Sequence, residues 1–310
     1  MFANTEFKTI IDVVTRFPTE KACHQYLASR RWSDGLMVCP HNDCGHEQAY
    51  VYKDGIRYKC KKCKLVYTAK TGTFMEASKL PTIKWFLSIY LFMHKKGISS
   101  IQLSKDIGCQ QKTAWFILCR LRLALGNETK EQLDGVVEID ETFVGGAARF
   151  KHRNKRPKYL KEQGRDLPDK TPVMGFLQRG GKLRAMVLPN VTSDVLYHAV
   201  RKNIKEKSTV MTDGYRGYSG FDYLYDCKSI DHGKGFYGDG EIHTNTIEGF
   251  WSQFKKGIKG VYHKTTPKHL QKYVDEFVFR YNYRTLAVQP QFDCVIANMK
   301  CRLKYKDLVA

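Results

Sequence analysis

Three acids sit in sequence surroundings that could do chemistry: Asp140 in VEIDETFVGG, Asp213 in MTDGYRGY and Glu248 in HTNTIEGFWSQFKKGI. They are separated by 73 and 35 residues, so no single loop can hold them together. They meet only if a sheet gathers the ends of separate elements. Carboxylates gathered in that way can hold divalent ions about 3.5–4 Å apart, one activating an attacking oxygen and one stabilising a leaving oxygen in phosphoryl transfer. Spacing alone leaves another reading open, because aspartate beside glycine is commonly a turn or cap residue. Glu138 would share a strand face with Asp140 as an auxiliary acid. Glu141 would point to the opposite face as a structural or exposed residue. His243 opens the segment that holds Glu248 and either approaches a phosphate or is incidental there.

A second group has metal-ligand spacing. Cys39, Cys44, Cys60 and Cys63 occur as CPHNDC and CKKC, two close pairs on either side of a stretch long enough for a hairpin. Four thiolates on two such knuckles suit a structural zinc with no open coordination position. Two disulfides, or His41 or His46 in place of one thiolate, are the alternatives. The intervening AYVYKDGIRYKC alternates apolar and polar residues around Asp54-Gly55, a hairpin signal. Cys23, Cys109, Cys119, Cys227, Cys294 and Cys301 show no ligand spacing.

The elements that must position these groups can be read from periodicity. Residues 5–32 form two helices broken at Phe17-Pro18, with Ile10, Ile11 and Val14 in the first apolar stripe. LPTIKWFLSIYLFMHKKG is an apolar helix stopping at Gly97. Two further helices meet at Gly108 with helix-turn-helix spacing, and Gln110, Gln111, Lys112 and Thr113 open the second, where base edges would be met. A plain packed helical hairpin has the same periodicity. From residue 133 the order is a strand carrying Asp140, a hairpin at Gly180-Gly181, and a helix capped by Ser193 or Asp194. A strand ending at Asp213, the Glu248 helix and a last helix from Pro267 follow. In the Glu248 helix, Phe250 and Trp251 anchor it to the sheet. That order predicts an α/β, ribonuclease-H-like core. The organisation expected is N-terminal helices and ribbon over 1–75, helix-turn-helix over 76–132, catalytic domain over 133–290 and a C-terminal tail over 291–310.

The chain of 310 residues carries 52 basic and 31 acidic residues, a net charge of +21. That excess points to a polyanionic partner. It is concentrated at the flanks: residues 149–170 hold 9 basic and 3 acidic residues, 251–310 hold 12 and 4, and 136–148 hold three acids and no base. The 149–170 stretch reads as a DNA-contacting insertion. With no run of 18 apolar residues and no apolar leader, a membrane span and a secretory signal are not expected, which predicts a cytoplasmic protein.

The segments that hold the three acids, extended through KGVYHKTTPKHLQKYVDEFVFRYNYR, resemble bacterial insertion-sequence DDE transposases of the zinc-ribbon group related to Merlin transposons. FPTEKACHQYLASRRWSDGLMVCP and TAKTGTFME resemble the same group, so the likeness spans residues 5 to about 290. The resemblance implies Asp140 and Asp213 as the first two ligands of catalytic Mg²⁺ or Mn²⁺. It leaves Glu248 or Asn245 for the third, and Glu248 is favoured because a carboxylate binds a divalent ion more strongly than an amide. Lys255 or Lys256 would meet the end phosphate, or would be solvated charges. It further implies binding of terminal inverted repeats, cleavage, transfer of the 3′-OH into target DNA, and a homodimer or larger assembly on DNA. An inactive sequence-specific DNA-binding derivative and a structure-selective nuclease are the alternatives.

Overall fold

The computed structural model describes residues 6–41, 44–126, 131–146, 170–213, 218, 220–229 and 243–309. The 149–169 part of the basic stretch lies outside them. The chain divides into two compact units, Met1–Glu128 with Tyr283–Ala310, and Thr129–Asn282.

In the first unit, α1 (Ile10–Arg16) begins with a capping box between Thr9 and Asp12, and α2 (Glu20–Arg31) begins with Thr19 accepting from the Ala22 N–H. These bonds satisfy backbone donors that have no partner inside the helix. The expected stripe on α1 is corrected: Ile10, Ile11 and Val14 are exposed, and Val13 with the flanking Phe17 enters the core. Phe7, Phe17, Tyr26, Phe86 and Phe292 pack edge to face around that core, with ring centroids 4.8–6.2 Å apart. The ribbon strands β1 (Ala49–Val51), β2 (Arg57–Cys60) and β3 (Val66–Thr68) form one antiparallel sheet. At the β1–β2 turn Gly55 takes φ +69°, and Asp54 Oδ1 accepts from the N–H groups of Ile56 and Arg57. Helices α3 (Thr82–Phe92), α4 (Ser100–Asp106) and α5 (Gln111–Leu125) follow. Gly108 at φ +59° makes the sharp turn between α4 and α5.

The second unit contains β4 (Val136–Val144), β5 (Thr171–Gln178), β6 (Leu183–Val187), α6 (Ser193–Asn203), β7 (Thr209–Thr212) and β8 (Asp226–Ser229). Helix α7 (Asn245–Gly257), one π-turn, Ile258–Tyr262, and α8 (Pro267–Asn282) complete it. The sheet order is β6-β5-β4-β7-β8, antiparallel from β6 to β4 and parallel from β4 to β8. Val137, Ile139, Met174 and Phe176 bury one face against Leu196, Ala199 and Val200 of α6. Val173 and Leu177 bury the other against α7 and α8 through Ile247, Trp251, Phe254, Val274 and Phe277. The α6 cap differs from expectation: Thr192 occupies it, held by Asn190 Oδ1.

Three elements and one boundary also differ from the sequence reading. Strand β8 was not foreseen. The expected 291–310 tail is instead α9 (Val288–Ala297) and α10 (Tyr305–Val309), and both belong to the first unit, as does everything from Tyr283. Pro290 lies in the first turn of α9, where its missing N–H costs no intrahelical bond.

Gly175 pairs with Asp140 across the β4–β5 ladder, and a Cβ there would lie 2.6 Å from Trp251 Cζ2 and 2.9 Å from Ile247 Cδ1. The bare backbone therefore lets α7 lie directly on the strand pair. Gly175→Val should lift that helix and lower stability by about 1–3 kcal/mol, the usual cost of overpacking. Urea unfolding measures this, and an unchanged midpoint would show that α7 is not seated there.

Candidate functional site

Asp140 lies on β4 facing α7. The parallel register pairs Val136 with Thr209, Val137 with Val210 and Glu138 with Met211. Carried forward two residues, it sets Asp213, just past the end of β7, beside Asp140. Glu248 occupies the first turn of α7, exposed, and Thr244 Oγ1 donates to its Oε1 at 3.1 Å. Burial raises the Asp140 pKa, and Asp213 and Glu248 raise it further, to about 7; the Glu141 N–H, 2.8 Å from Oδ1, and the charge of Lys255 oppose the rise. The three acids thus share one electrostatic environment. Their oxygens do not form a closed ligand set: among the described residues, only the four cysteines have ligand atoms all within 4.8 Å of one another. A hard divalent cation would suit these donors, because its charge would offset the burial and the neighbouring carboxylate charges that favour the protonated acid.

Asn245 is the first residue of α7 and is exposed one turn before Glu248. Lys255 lies seven residues beyond Glu248 on the same stripe of the helix, and its charge is felt at Asp140. Lys256 is turned about 100° away from that stripe.

Glu138 does not join the acids. Fully buried, its carboxylate accepts from the N–H groups of Thr246 (3.1 Å) and Ile247 (3.0 Å), from the Thr246 hydroxyl (3.1 Å) and from Arg179 Nε (2.9 Å). The Thr244 side chain accepts from no backbone N–H at the start of α7, so Glu138 supplies the acceptor that the helix N-terminus lacks. His243 Nδ1 lies 3.0 Å from Arg179 Nη2 and 3.5 Å from Glu138 Oε1, so this histidine belongs to the same network. Glu141 points to the opposite face, as expected, and accepts a hydrogen bond from the Tyr218 hydroxyl. Burial, then the charges of Asp140 and Asp213, push its pKa up to about 8. Phe250 and Trp251 are buried in the core under α7. No sequence signal marked Glu138 for this role, because the helix start HTNT offers capping-type residues of its own.

In the first unit, Sγ–Sγ separations of 3.7 Å link Cys39 to Cys63 and Cys44 to Cys60. Tetrahedral zinc with metal–sulfur bonds of about 2.3 Å has sulfur–sulfur edges of about 3.8 Å, so the cluster fits zinc. All four are free thiols, which removes the disulfide alternative. The His41 ring faces the Val66 carbonyl at 3.2 Å, and neither His41 nor His46 belongs to the cluster. At the start of α5, Gln110, Gln111 and Lys112 are exposed and Thr113 is half-buried. Gln111 Nε2 donates to Ser100 Oγ at 2.8 Å, and Lys112 Nζ lies 4.9 Å from the centre of the Tyr305 ring.

Residues 132–282 match the ISXO2-like transposase domain, and residues 18–66 match the transposase zinc-ribbon domain. The chain is 31% identical over 245 residues to an uncharacterized protein in transposable element ISH50 of Halobacterium salinarum, covering 76% of this chain and 82% of that protein. It is 28% identical over 109 residues to an uncharacterized transposase-like protein of Haemophilus influenzae, 35% of this chain and 87% of that protein. No helix among the described residues is long and apolar enough to cross a membrane.

Two outcomes follow from this geometry. Cys60→Ser should reduce bound zinc from about one ion per chain to near none, read by native mass spectrometry; full retention would contradict the four-thiolate site. A carboxyl whose folded pKa exceeds its unfolded value contributes stability below the unfolded pKa, about 3.9 for aspartate, and loses it as pH rises through the folded one. Asp140, at about 7, should therefore stabilise the metal-free protein more at low pH than at high pH. Asp140→Asn should flatten the fall in melting temperature between about pH 5 and 8. Mg²⁺ at the upper pH should stabilise the wild type and not the variant. Identical profiles would remove Asp140 from the coupled group.

Proposed function

Because this chain belongs to the insertion-sequence transposase family that carries the ISXO2-like domain, we propose that it is a DDE transposase whose metal centre is built by Asp140, Asp213 and Glu248. The observation that carries this reading is the placement of Asp140 and Asp213 side by side just past the paired stretch of β4 and β7, where burial first, and then the charges of Asp213 and Glu248, raise Asp140 to about 7. The strand order and the helices on both faces support a ribonuclease-H-like core for the second unit.

Bound between these acids, Mg²⁺ or Mn²⁺ would supply Lewis-acid activation of the attacking oxygen and neutralise charge on the phosphate. The protein's own contribution is placement. Asp140 is fixed by its strand and the Glu141 N–H, and Glu248 by the Thr244 hydroxyl. Lys255, exposed on the Glu248 stripe, contacts the phosphate at the transposon end. Glu248 is the third ligand, with Asn245 one turn earlier as the alternative through its carbonyl oxygen. In the first reaction a water oxygen attacks the end phosphate in line, and the bond from phosphorus to the 3′ oxygen breaks to free a 3′-OH. In the second, that 3′-OH attacks a target phosphodiester and displaces one oxygen as it bonds.

The first unit binds the terminal inverted repeat. In it α4 and α5 act as a helix-turn-helix, with Gln110, Gln111, Lys112 and Thr113 toward the bases, and the zinc ribbon adds phosphate contacts. Two protomers on DNA bring the two ends together.

Purified protein incubated with labelled element ends, a supercoiled target and Mg²⁺ should nick and join them, and EDTA should abolish both. Asp140→Ala and Asp213→Asn should lose both activities and keep end binding. End binding without cutting in Mg²⁺ or Mn²⁺ would mark an inactive DNA-binding derivative, and cutting without joining would mark a nuclease.

A further inference from the structure

The segment from Met299 to Leu308 alternates in character along KCRLKYKDL. Lys300, Arg302, Lys304 and Lys306 are exposed, and Leu303 and Leu308 are buried. The two leucines form a small core with Cys119 of α5, joined by Trp115, Phe116 and Leu123. Arg120 Nε donates to the Leu303 carbonyl at 3.2 Å, and the Phe74 N–H donates to the Met299 carbonyl at 3.1 Å. The Tyr305 ring meets Phe116 edge-on at 5.6 Å and lies under Lys112 Nζ at 4.9 Å. Positions 112, 116, 119 and 120 form one stripe of α5 at helical spacing. The segment is therefore laid along that stripe as a strap, running from Arg120 back toward the start of α5, where Tyr305 meets Lys112.

Its apolar half is spent on α5, and its cationic half faces water. Arg302 pairs with Glu76 at 3.2 Å, whereas Lys300, Lys304 and Lys306 make no ion pair among the described residues. Asp307 is the one acid in the strap. Cations held at fixed intervals on a packed strap are preorganised for a rigid polyanion, and the neighbouring glutamine amides suit base edges better than an acidic protein surface.

We propose that this strap is a DNA-contacting element in which Lys300, Lys304 and Lys306 bind the backbone phosphates flanking the bases that α5 faces. The assignment rests on the reading of the first unit as DNA-binding. Tyr305 holds Lys112 in place and so couples the strap to the start of α5. The phosphate contacts add affinity for any duplex and orient α5 without themselves reading sequence.

The test uses the full chain and fluorescence anisotropy on two duplexes of equal length, the element's own end and an unrelated sequence, across a salt series. Lys300→Gln/Lys304→Gln/Lys306→Gln should weaken binding to both duplexes at least roughly tenfold at about 0.1 M salt. It should also reduce the slope of log affinity against log salt by about 2 to 3, near 0.9 per lost phosphate contact. The matching triple change to arginine should keep the wild-type slope, and the melting temperature of both variants should stay unchanged because all three side chains are exposed. Wild-type binding with the same slope and affinity in the glutamine variant would overturn the strap alone. A loss confined to the element's end would overturn the phosphate assignment. Failure of the wild type to bind either duplex would overturn the DNA-binding reading and the strap with it.

Discussion

Glu138 has no exposure to solvent, and its charge is compensated by the start of α7, by Arg179 and by the Thr246 hydroxyl. Removing one side of such a buried arrangement strands the other and typically costs about 3–5 kcal/mol. The second unit depends on this contact, because it fixes where α7 begins and hence where its first turn lies over β4. Glu248 is in that first turn. Asp140 is two residues from Glu138 on the same strand face, so one strand sets both the anchor of the helix and the acid that faces it.

Two further constraints narrow the seating of α7. The absent side chain at Gly175 removes the distance that would separate helix from sheet, and Trp251 and Ile247 fill the recess. At the other end, a Cβ on Gly257 would lie 2.1 Å from Phe277 Cζ, so α8 also closes on α7 at a glycine. Polar anchoring at the start and close apolar packing along the length leave little freedom for the exposed face. Glu248 and Lys255 stand seven residues apart on that face.

The parts of this arrangement set by local chemistry could be read in the sequence. A short β-rich run revealed β4, the Gly180-Gly181 turn revealed the β5–β6 hairpin, and the CPHNDC and CKKC pairs revealed the cluster of four cysteines. Other parts depend on tertiary partners. Strand β8, with Asp226, Cys227, Lys228 and Ser229, is mostly polar and exists because β7 offers it a parallel edge. Alternation placed Glu138 and Asp140 on one face, and no periodicity distinguishes an acid that joins a cluster from one that caps a helix. Ile10, Ile11 and Val14 fit a helical stripe as well as Val13 and Phe17 do, and only the packed aromatics decide which of them are buried. Leu303 and Leu308 are too sparse to announce a strap until α5 provides the surface beneath them.

A divalent ion bound among Asp140, Asp213 and Glu248, as proposed, can be located directly. Fe²⁺ in place of Mg²⁺, with ascorbate and peroxide, generates hydroxyl radicals that cut the nearest backbone, and peptide mapping reads the cuts. Cleavage should cluster near residues 140, 213 and 248 together, be suppressed by excess Mg²⁺ and be lost in Asp140→Asn. Cuts at only one of these positions, or a pattern that Mg²⁺ does not suppress, would contradict it.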